Sequence, residues 1–185
     1  MQVRLFIGAA ALCAAVAQAE TREFDHAGTL KIDRGAERTA TLHVACSPDR
    51  DGGALSVELV VPEAVTLKDF DYDDFEGPDA AAGGKALSHL AWMSASGSAQ
   101  IDSAASGWYA PEPPDSFMFG VSQLSHRREA PAKLLGAVRG EAGKLAWTQT
   151  AFDTSGRRLL AGFDLDAAAA QRLHAASAPC LPAAK

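Results

Sequence analysis

Asparagine is absent from this 185-residue chain, which excludes a Cys-His-Asn catalytic set at once. Other signatures are missing too. There is no Cys-x-x-Cys, so no thioredoxin-type redox pair. Neither His-Glu-x-x-His nor the phosphate-cradling Gly-x-x-x-x-Gly-Lys occurs. Gly-x-Ser-x-Gly and Ser-x-x-Lys, two serine-nucleophile signatures, are absent as well. Basic charge is in the minority, with 17 Lys and Arg against 23 Asp and Glu and a formal net charge of -6. That balance argues against nucleic acid as a partner, because its phosphates demand a basic stripe. Ser125-His126-Arg127-Arg128 is too short a basic run to replace one.

What is present reads as a packed domain. Hydrophobic residues make up 48% and charged residues 22%, too apolar for a disordered chain. The length suits a single domain. Residues 1–19 read as a secretory signal, with Arg4 at the start, an apolar run from Leu5 to Val16, and Ala17-Gln18-Ala19 as the cleavage pattern. Cleavage after Ala19 leaves one domain over 20–185, periplasmic or secreted. The apolar run falls short of the ~20 residues that a membrane span needs, and no later segment supplies one, so the mature chain is expected to have no membrane span. Cleavage also removes Cys13 and leaves Cys46 and Cys180. In an oxidising compartment these are expected to join, and closing so long a loop is worth roughly 4–5 kcal/mol of chain entropy. With both oxidised, no thiolate nucleophile remains.

Alternation of apolar and polar residues predicts strands at Thr29–Ile32, Ala40–Cys46 and Leu55–Val61, joined as an antiparallel meander. Lys85–Trp92 is read as a short helix presenting Leu87, Leu90 and Ala91 inward. Ala99–Ser103 and the stretch around Phe117 and Phe119 read as strands. Gly107–Asp115 holds three prolines and is expected to be an irregular exposed loop. Lys144–Phe152 and Arg157–Phe163 flank Asp153-Thr-Ser-Gly156 as a hairpin. Asp164 or Asp166 caps a final helix, which Pro179 ends just before Cys180. The expected class is α+β, mainly β: an antiparallel sheet with a C-terminal helix packed on it and one disulfide.

The unusual segment is Asp69-Phe70-Asp71-Tyr72-Asp73-Asp74-Phe75-Glu76-Gly77-Pro78-Asp79. If extended, it places Phe70 and Tyr72 on one face and Asp69, Asp71 and Asp73 on the other. That pattern fits an edge strand whose aromatics enter the core and whose acids discourage pairing. It also fits a recognition surface for a basic protein or a cell-envelope component. A calcium loop is a third reading, but Asp74 stands where an EF-hand requires glycine and Ala80 where it requires a bidentate glutamate. Crowded carboxylates raise one another's pKa unless a cation relieves them. Trp108 and Tyr109, expected in the loop, are amphipathic aromatics of the kind that anchor partners.

The leading expectation is a small exported binding or inhibitor-like protein, not an enzyme. Its surface comprises Asp69, Phe70, Asp71, Tyr72, Asp73, Asp74, Glu76, Trp108 and Tyr109, with no metal and no cofactor. Two alternatives stand beside it. One is a hydrolase without a signature, built on a Ser/His/carboxylate site at His89 or His126. The other is a calcium-binding protein. None of the five histidines (26, 43, 89, 126 and 174) has the close spacing of paired metal ligands.

Overall fold

A computed structural model describes residues 20–48, 53–68, 70–123 and 130–182. The signal reading at 1–19 lies outside the described residues, as do Asp69 and His126. The meander forms as the alternation requires, from β1 (Arg22–Ile32), β2 (Arg38–Ser47) and β3 (Ala54–Val61). β1 starts earlier than the sequence suggests and pairs with β2 along most of its length, from Arg22↔Cys46 to Leu30↔Arg38. Register sets one apolar row across the sheet, Phe24↔Val44↔Val57↔Val121, and another, Leu42↔Leu59↔Phe119. Every one of those side chains is buried, which is what two-residue periodicity accomplishes on one face.

Six further strands complete a nine-stranded sheet among the described residues. They are β4 (Ser88–Ser94), β5 (Gly97–Ser103), β6 (Ser106–Ala110), β7 (Ser116–Gln123), β8 (Gly143–Thr150) and β9 (Arg158–Leu165). Their order is β5-β4-β8-β9-β1-β2-β3-β7-β6, and each neighbouring pair is antiparallel. β8 and β9 form the expected hairpin. Two expectations are corrected. Lys85–Trp92 is not a helix: Ser88, Leu90 and Trp92 point inward on β4, held between β5 and β8. Gly107–Asp115 is not loop throughout, since residues 106–110 pair with β7 and the irregular part begins at Pro111, where prolines remove ladder donors.

The two outermost strands, β5 and β6, are joined by Ala104 and Ala105 alone. Three Cα–Cα steps reach at most about 11 Å. The sheet must therefore roll until its edges nearly meet, enclosing its apolar face. α1 (Ala130–Leu135) packs against β4 and β5 on one side of that gap and β3 and β7 on the other. α2 (Ala167–Ser177) packs on β1, β2 and β9, and Asp166 caps it by accepting the Ala169 N–H at 2.7 Å. After the turn at Ala178–Cys180, the disulfide Cys46–Cys180 closes with 5.8 Å between Cα atoms. Among the described residues, no helix is long and apolar enough to cross a membrane.

Candidate functional site

Beyond β3 the chain crosses the mouth of the rolled sheet, with tight turns at Ala64–Thr66 and Asp73–Phe75. The acidic–aromatic segment is not an extended edge strand. Its rings enter the core: Phe70, Tyr72 and Phe75 are 5%, 3% and 1% exposed. Tyr72 lies 5.1 Å from Phe117 and 5.9 Å from Phe119 between ring centroids, and Phe75 is 5.3 Å from Phe119. Three aromatics within six residues cannot all face one side of a strand, since Phe75 falls out of phase with Phe70 and Tyr72. A tight turn solves this. The Asp71 carboxylate accepts the Asp73 N–H at 3.2 Å and sets that turn. Glu76 then bridges in parallel to Gly107, and the Gly77 N–H donates to the Gly107 carbonyl at 3.0 Å, stitching the segment to β6.

That stitching brings Tyr109 to the acids. Its hydroxyl donates to Asp73 Oδ1 at 2.8 Å. Burial, this bond and the nearby Glu76 and Asp71 charges push the Tyr109 pKa up to about 12, so the phenol stays a donor. Trp108 goes elsewhere. It pairs with Met118, and its ring covers Gly120, where an added Cβ would lie 3.0 Å from it. The two aromatics of the sequence motif thus occupy opposite faces of β6.

A cleft of about 390 Å³ opens between this segment, β6 and the β8–β9 loop. Phe70, Tyr72 and Tyr109 line it beside Asp71, Asp73 and Asp153. Lys68 and Arg157 also reach its wall. In the sequence Asp153 belongs only to a turn; its place in the cleft follows from strand order, which local sequence does not encode. Its pKa is held low by hydrogen bonds from the Ser155 hydroxyl and N–H, the latter at 2.9 Å, with Arg157 adding to the effect. Asp74 goes the other way. Partial burial and then the charges of Asp71, Asp153 and Asp73 raise its pKa.

Among the described residues, no serine hydroxyl or cysteine thiol is hydrogen-bonded to a histidine ring. His89 Nδ1 lies 2.7 Å from Asp102 Oδ1, with both side chains largely exposed, and no hydroxyl or thiol bonds to this imidazole among the described residues. A second His–carboxylate row was not legible in the sequence. Asp25, His43 and Glu58 align across β1, β2 and β3 on the outer face, with 2.8 Å from His43 Nδ1 to Asp25 and 4.0 Å from Nε2 to Glu58. Among the described residues no group of three or more His, Cys, Asp or Glu side chains is arranged to hold a metal ion. No protein-family model, no curated protein and no solved structure matches this chain.

Proposed function

We propose that the protein is a small exported, non-enzymatic binding protein that captures a basic partner in the acidic cleft. One observation carries this reading: three carboxylates from two separate parts of the chain, Asp71 and Asp73 on one side and Asp153 on the other, converge on a cleft with an aromatic floor. The volume suits a side chain or small ligand, and convergent polar groups on an apolar floor are the usual make-up of such sites. Beside the cleft, burial and then the charges of Asp71, Asp153 and Asp73 raise the pKa of Asp74, and a bound cation would offset the charge part of that effect. Export is supported by the signal-like 1–19 and by a disulfide of a kind that persists outside the cytosol. A basic protein or basic cell-envelope component is the partner class, drawn in by long-range attraction as well as by contact.

The test is titration calorimetry of the mature protein with an oligo-lysine peptide, repeated on the Asp71→Ser/Asp73→Ser/Asp74→Ser variant. Saturable binding that weakens with salt and disappears in a variant with unchanged near-UV circular dichroism is expected. Equal binding by both proteins, or none by the parent, overturns the reading.

A further inference from the structure

The acidic cleft occupies one end of the β8–β9 hairpin, and a groove of opposite charge lies at the other. α1 and the connection into β8 form one wall of this groove; the end of α2 and the turn after it form the second, around a volume of about 880 Å³. β8 is eight residues long. At about 3.3 Å per residue, roughly 25 Å separates the two sites. In a chain of net charge -6, the groove is lined by Lys133, Arg139 and His174 and, among the described residues, by no acid.

The backbone accounts for the convergence. Gly140, at φ +76°, packs on α2, where an added Cβ would lie 3.1 Å from the Gln171 side chain. Arg139 immediately precedes this contact, and His174 stands one turn beyond Gln171. Lys133 is the exposed member of the last turn of α1, whose Ala132, Leu134 and Leu135 are buried.

A second observation leaves these side chains available. Basic groups near helix ends ordinarily serve the unpaired carbonyls of the last turn. Here backbone N–H groups already do so: Gly136 donates to Ala132, Val138 to Leu135 and Ala178 to His174. Among the described residues, none of Lys133, Arg139 and His174 forms an ion pair or a side-chain hydrogen bond.

Donors and walls together define the ligand. Ala178, Leu181 and Pro182 supply an apolar flank, anchored by the Cys46–Cys180 disulfide. A carboxylate is a single plane that one guanidinium fork satisfies. A phosphate monoester carries close to two charges and three terminal oxygens, enough for a guanidinium, an ammonium and an imidazole N–H at once. A bare phosphate would leave the apolar flank and most of the volume unused.

We infer that this groove binds a phosphate monoester borne on an acyl chain. Lys133, Arg139 and His174 hold the phosphate, and the chain lies along Ala178, Leu181 and Pro182. The site is independent of the acidic cleft and of the partner proposed for it.

The experiment is titration calorimetry of the mature protein with dihexanoyl phosphatidate below its micelle concentration. Glycerol phosphate, octanoate and dihexanoyl phosphatidylcholine are titrated alongside. Phosphatidate is expected to bind about tenfold or more tighter than glycerol phosphate, which lacks the chains, and than octanoate, which lacks the phosphate. The zwitterionic lipid is expected not to bind. Lys133→Gln/Arg139→Gln replaces two exposed side chains and should weaken phosphatidate about tenfold or more, with near-UV circular dichroism unchanged. Glycerol phosphate binding as tightly as phosphatidate would reduce the site to one for free phosphate and overturn the inference. So would equal binding of octanoate or phosphatidylcholine, an unaffected double variant, or no binding of phosphatidate at all.

Discussion

At Asp74, burial and then the charges of Asp71, Asp153 and Asp73 oppose ionisation, so this side chain is where the acidic segment costs the fold most visibly. A carboxyl whose pKa is raised on folding binds its proton more tightly in the native state. Stability therefore rises as pH falls through that raised value, and the penalty is fully present at neutral pH. Asp74→Asn is expected to raise the melting temperature slightly at pH 7. The gain should vanish once the medium is acidic enough to protonate Asp74 in the parent; thermal unfolding across a pH series checks both. Asp153 has the opposite sign. Its lowered pKa contributes stability above the ordinary carboxylate range, which is lost as acid overcomes the Ser155 bonds. At this scale the sequence was half legible. The run of aspartates announced itself by composition, whereas the Tyr109–Asp73 bond and the arrival of Asp153 depend on which strands become neighbours.

At the scale of elements, legibility followed the strength of the local pattern. β2 and β3 alternate cleanly between apolar and polar residues, and β8, β9 and α2 carry their own turn and cap signals. β4 was misread because Leu87, Leu90 and Ala91 also satisfy a helical stripe, and a short run fits both periods. Strands on both sides decide the matter, since backbone groups flanked by β5 and β8 are satisfied in the ladder. β6 was obscured by the prolines that follow it, although Ser106–Ala110 contains none. The cap of α2 was legible and has a measurable worth. Asp166→Ala removes the acceptor of the Ala169 N–H and should cost about 1 kcal/mol in urea unfolding, while Asp166→Asn should cost much less.

For the molecule as a whole, the covalent link between α2's end and β2 matches the sequence expectation and carries the largest single prediction. The bridge spans a sequence separation of 134 residues, and constraining an unfolded loop of that length is worth at most about 5 kcal/mol in the chain-entropy model. Cys180→Ala, or reductant added to the parent, should lower the unfolding free energy by up to that amount and so shift the denaturation midpoint down; an unchanged midpoint would show that the last turn contributes nothing through its tether. Roll of the sheet was not legible in the sequence, because the two-residue link between its outermost strands has meaning only once strand order is known. The disulfide has one more consequence. Arg22 sits opposite Cys46, and Cys46 is bonded to Cys180, so the first strand and the final turn converge on a single cysteine. The polypeptide from 22 to 180 thus traces a nearly closed ring, and a circular permutant that joins those ends and opens at the Asp153–Gly156 hairpin would keep every strand beside the same neighbours.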